Sequence, residues 1–87
     1  MFNLDVTQVQ PLQQRRLALT FEDGLRAVVD LDSIVKTYQG VFLPLLEDDF
    51  FRQVRVDSEL GTIVWPNGAD VCPDVLYSVA SGKAIAA

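Results

Sequence analysis

The chain has 87 residues, enough for one domain and too few for two. Apolar residues make up 49% and charged residues 22%, which supplies one core and excludes the composition of a disordered chain. Twelve acidic against seven basic residues give a formal charge of −5, a field that repels phosphate backbones and fits a basic protein partner better than DNA.

In chain order, Val6 and Val9 flank a polar first strand, and Pro11 to Gln14 reads as a turn. The run Arg16 to Phe21 sets Leu17, Leu19 and Phe21 on one face at period two. Asp23-Gly24 interrupts it before Leu25 to Leu31 resumes as strand, because both residues tolerate the positive φ of a tight hairpin turn. Asp30 is placed to cap the next turn, and Asp32 to Tyr38 reads as a short helix ended by Gly40. Val41 to Leu46 is densely apolar but interrupted by Pro44, which makes it a packed connection rather than a central strand. Glu47-Asp48-Asp49 then puts negative charge at the start of a helical turn carrying Phe50 and Phe51.

Gln53 to Val56 is extended again, with Val54 and Val56 inward and Arg55 outward. Asp57 to Gly61 turns the chain, and Thr62 to Trp65 returns antiparallel beside it. Pro66-Asn67-Gly68 carries turn chemistry, and Pro73 suits the first position of a helix whose stripe is Val75, Leu76, Val79 and Ala80, with Gly82 as its stop. These elements predict an α+β fold: one mostly antiparallel sheet of about five strands with two or three short helices on one face. Residues 1–87 form a single domain with its core between about 5 and 82, and 83–87 read as a frayed tail.

Little reactive chemistry is on offer. The chain has no histidine, which removes the usual base near neutral pH, the Ser-His and Cys-His nucleophile pairs and most zinc sites. Glu47-Asp48-Asp49 is the one carboxylate cluster, and its neighbours in sequence do not converge on one ion, so no metal is expected. Cys72 lies beside a helix start, where a thiol pKa can fall, but filling a gap or a cap position accounts for it. Asp23, Asp30, Asp70 and Asp74 are read as turn and capping residues. The arginines Arg15, Arg16, Arg52 and Arg55 are the only hints of positive surface and read as solvated. No glycine-rich phosphate loop opens a helix after a strand, so no cofactor is expected.

The single cysteine excludes an internal disulfide and points to a reducing compartment. With no charged and apolar leader at Met1 to Asp5, and no run approaching the ~18 apolar residues of a membrane span, the expected location is cytoplasmic and away from membranes. Trp65 and Tyr77 are the aromatic candidates for contact with another molecule, with Asn67 and Asp70 on the same turn; for Trp65 the favoured reading is that it closes the core.

The pattern Leu17-x-Leu19-x-Phe21-x-Asp23-Gly24, Val29-Asp30-Leu31, Phe42-x-Pro44-Leu45, Val56-Asp57, Gly61 to Asp70 and Leu76-Tyr77 resembles the bacterial domain-of-unknown-function 2442 family. The resemblance runs from about Val6 to Tyr77 and implies a small α+β fold with no established activity. It implies that some relatives are joined to a DNA-binding helix-turn-helix, which is not seen after Tyr77 here, and that others are encoded beside a second small protein, as antitoxins are. Some members carry a molybdopterin-guanine dinucleotide label that finds no phosphate loop here. The expectation is therefore a non-enzymatic interaction module for a small, basic partner, with a homodimer open to it through free sheet edges. The alternatives are a small-molecule-binding or enzymatic domain using Asn67, Asp70 and Cys72, and a DNA-regulator domain lacking its helix-turn-helix.

Overall fold

The computed structural model describes residues 5–81. The N-terminal half is an antiparallel sheet of β1 (Val6–Pro11), β2 (Arg16–Phe21) and β3 (Arg26–Asp30), in that spatial order. A second, two-stranded antiparallel ladder is made by β4 (Arg55–Asp57) and β5 (Thr62–Val64). Helix α1 (Asp48–Phe51) precedes β4, and α2 (Pro73–Ser81) follows β5 and packs against β3. The class is α+β, as expected, but the five strands are divided between two sheets rather than joined in one.

Alternation explains the first sheet. Leu17, Leu19 and Phe21 are buried while Arg16, Ala18 and Thr20 face outward, and Val29 of β3 joins the buried row. In β1 the inward residues Val6 and Val9 are three apart, which a regular strand would place on opposite faces. A bulge between Val6 and Gln8 adds one residue and turns both toward the core. The β2–β3 turn is a tight loop in which only Gly24 takes a positive φ, of 93°, while the Asp23 carboxylate accepts the N–H of Leu25.

The helix expected over Asp32 to Tyr38 is corrected by the structure. Only Leu31–Ser33 forms a 3₁₀ turn, capped by the Asp30 carboxylate on the N–H of Asp32. The run beyond it contains β-branched Ile34, Val35 and Thr37, which weaken helix propagation, and Asp32 is pulled aside by Arg15 and Tyr38. By contrast, the single helical turn at Phe50-Phe51 and the helix opened by Pro73 form as expected. Gly82 as a helix stop, and the tail at 83–87, lie outside the described residues.

The buried side chains form one cluster, from Val6, Leu17, Leu19, Phe21, Val29 and Leu31 to Leu45, Phe51, Ile63, Trp65 and Leu76. The two sheets meet where Gly61 passes β1, the N–H of Val6 donating to the Gly61 carbonyl at 3.0 Å. Gly61 has φ of 69°, and a Cβ there would collide with the Asp5 carboxylate. Gly61→Ala is therefore expected to cost about 1–3 kcal/mol, from strain at a positive φ and from displacing Asp5. Urea unfolding of the two proteins checks this, against Gly40→Ala, whose φ of 57° is also left-handed but has open space at the Cβ and should cost less.

Candidate functional site

Of the four residues expected to meet a partner, Trp65 is buried, Tyr77 half-buried, and Asn67 and Asp70 exposed. Trp65 takes the core-closing role favoured for it and drops out as a contact residue: it is 1% exposed, its indole N–H donates to the Phe51 carbonyl at 2.9 Å, and its ring lies 6.1 Å from that of Phe51. Pro66-Asn67-Gly68 follows it as a tight turn closed by the Gly68 N–H on the Trp65 carbonyl. Asn67 uses both ends of its amide, Oδ1 accepting from the Ala69 N–H and Nδ2 donating to the Val41 carbonyl at 2.9 Å. Tyr77 packs edge-on against Phe21, with ring centroids 5.0 Å apart, and its hydroxyl donates to Asp23. Asp70 is exposed, and its backbone pairs with Val64.

These roles also bear on chemistry. Both ends of the Asn67 amide are engaged in holding backbone, and Cys72 is an exposed residue whose carbonyl accepts the Leu76 N–H at the start of α2. Among the described residues no three of His, Cys, Asp and Glu converge as a metal-binding group. Thr62, the one buried polar side chain among the described residues, donates its hydroxyl to the Val71 carbonyl and so ties β5 to the approach of α2.

Asp32 gathers a charged cluster on the surface. Arg15 grips its carboxylate with two hydrogen bonds, of 2.8 and 3.0 Å, while the Tyr38 hydroxyl donates to the same group and the guanidinium sits 5.6 Å from the Tyr38 ring centre. These bonds, Arg15 first, hold the Asp32 carboxyl below the usual carboxylate range. Burial, then Asp32, raises the Tyr38 phenol. Asp23 is lowered in the same way by Tyr77 and then by the Leu25 N–H.

Two surfaces are available for contact. The 3₁₀ segment Gly40–Leu46 turns Phe42 and Leu45 toward the core and leaves Val41, Leu43 and Leu46 outside, Leu43 being 55% exposed. Glu47, Asp48 and Asp49 come directly after it and are exposed, and only Asp48 is paired, with Arg52 at 2.8 Å. Sequence reasoning marks this stretch as packed and misses its exposed half, although a period near three through a Pro-containing run is the signal that splits such a segment into two faces. The other surface is an open trough of about 880 Å3 on the outward face of β1, β2 and β3, walled by Val54, Arg55 and Val56.

A family model described as a protein of unknown function, DUF2442, matches residues 6–81. No curated protein matches the chain, and no solved structure matches it. Among the described residues no helix is long and apolar enough to cross a membrane.

Because Asp23 and Asp32 bind a proton less readily folded than unfolded, their stabilisation is fully present above the unfolded value of about 4 and is lost as pH falls through their lowered folded values. Asp32→Asn is expected to flatten the fall in urea midpoint below about pH 4 and to leave the slope above about pH 5 unchanged. Urea titrations across that range measure it.

Proposed function

The chain belongs to the DUF2442 family, and we propose that it is a non-enzymatic, cytoplasmic interaction module that docks a small basic protein, as an antitoxin does. The observation that carries this reading is the pairing of exposed Val41, Leu43 and Leu46 with the unbroken acidic run Glu47-Asp48-Asp49. Apolar contacts supply affinity at the centre of an interface, and a charged rim supplies steering and partner choice. A basic partner matches both this rim and the whole-molecule charge of −5.

The patch is also built to stay put. Phe42 and Leu45 anchor the segment from below, and Asn67 holds the Val41 carbonyl from the side. A surface already ordered loses little entropy on docking. Asn67, expected at the sequence level to touch a partner, supports this reading from behind the patch. A second reading is a homodimer through β3, which has no further strand hydrogen-bonded to its outer side among the described residues.

The test is co-expression with the product of the gene next to this chain's own, followed by affinity capture. Wild-type protein should retain a basic partner, and the double variant Leu43→Glu, Leu46→Glu should weaken retention at least ~10-fold, the loss of one or two apolar hot-spot contacts. Both sites are exposed, so the variant should keep its circular dichroism and urea midpoint. Retention unchanged in the folded variant contradicts the reading, and the homodimer would persist in it.

A further inference from the structure

We propose that the outward face of the three-stranded sheet is a docking groove for an extended acidic peptide that offers a carboxylate to each of two arginines. This surface is separate from the Val41 to Asp49 patch and opposite to it in charge preference.

The groove's lining holds two arginines, Arg26 and Arg55, and no Asp or Glu, in a chain whose formal charge is −5. The two ion pairs among the described residues are Arg15 with Asp32 and Arg52 with Asp48, so neither groove arginine is engaged in one. Arginine is the side chain best suited to bind carboxylate in a two-pronged fashion, and here two guanidiniums flank one trough.

Register shows what lies between them. Gln8, Thr20 and Arg26 are direct cross-strand partners, as are Gln10, Ala18 and Val28 in the next row, so all six share the outward face. The β2 part of the floor, Thr20 and Ala18, is thus small or β-branched, and Val28 beside it is 58% exposed in the middle of a strand. Its exposed methyls fit an apolar side chain, while the amides of Gln8 and Gln10 offer both donors and acceptors to a peptide backbone.

Arg26 stands on β3 and Arg55 on β4, which belongs to the other sheet and packs beside β1, so the two guanidiniums stand at opposite sides of the trough with the β1 and β2 floor between them. An extended chain crossing that floor can offer a carboxylate to each. Single-stranded nucleic acid is disfavoured because no aromatic residue lines the trough, which leaves bases without a stacking platform.

Fluorescence polarisation with a labelled Gly-Asp-Thr-Val-Thr-Asp-Gly peptide tests the proposal, with the same peptide carrying Asn for both Asp and a labelled oligothymidylate as comparisons. The acidic peptide should bind saturably and at least ~10-fold more tightly than the Asn peptide. Arg26→Gln and Arg55→Gln should each weaken it about fivefold, and Val28→Glu should abolish it. All three sites are exposed, so the fold should be retained in each variant. Leu43→Glu should leave peptide binding unchanged, which separates this result from that for the basic partner. The proposal is overturned by no saturable binding up to about 1 mM, by equal affinity for the Asn peptide, by arginine variants that bind like wild type, or by oligothymidylate binding as tightly as the acidic peptide.

Discussion

The hydrogen bond from the Trp65 indole to the Phe51 carbonyl is the constraint on which the rest of this structure depends. The indole is the largest fully buried side chain, and leaving its N–H unpaired in the core would cost about 1–3 kcal/mol. The bond joins the end of β5 to the last residue of α1, fourteen positions earlier. Val54 and β4 come within a few residues of that helix, so the place where β4 leaves the core is set by the contact. On the other side of Trp65, the Pro66-Asn67-Gly68 turn carries the Asn67 amide to Val41. One buried aromatic therefore positions both the wall of the outer groove and the base of the apolar patch.

The rest of the polar chemistry serves closure of the same kind. Asp23, Asp30, Asp57 and Asn67 each accept a backbone N–H two residues ahead, which is how short polar side chains stabilise turns. Tyr77 and Tyr38 spend their hydroxyls on Asp23 and Asp32, so α2 is tied to the β2–β3 turn and the segment after β3 to the Arg15 loop. Gln14 and Arg15 both adopt left-handed backbone there, with φ of 61° and 57°, and Arg15 is held by Asp32. Acidic residues used in this way leave the surface divided: an apolar stretch with its carboxylates at Val41 to Asp49, and a trough on the sheet with two arginines outside any ion pair among the described residues.

Much of the fold is legible in the sequence because its signals are local. Alternation in Leu17, Leu19 and Phe21, the Asp-Gly turn, the Pro66-Asn67-Gly68 turn and Pro73 at the start of α2 each depend on a few adjacent residues. The division into two sheets is not legible, because it rests on the β1 bulge and on Gly61 meeting Asp5 and Val6 across more than fifty residues. The aromatic residues are half legible for a similar reason. A lone tryptophan at a strand end favours closing the core, but nothing in the chain order shows that its indole bonds the Phe51 carbonyl. Alternation turns Arg55 outward, but nothing in the chain order reveals that it and Arg26 flank one trough.

Trp65 acts as a structural closure rather than a contact residue, and exchange of its indole hydrogen with solvent tests that most directly. Followed by NMR, the Nε1 hydrogen should exchange only through global unfolding, with the same free energy as the most protected amides of β2. Exchange at the rate of a solvent-exposed indole, with β2 still protected, would show that the bond to Phe51 does not hold the molecule together.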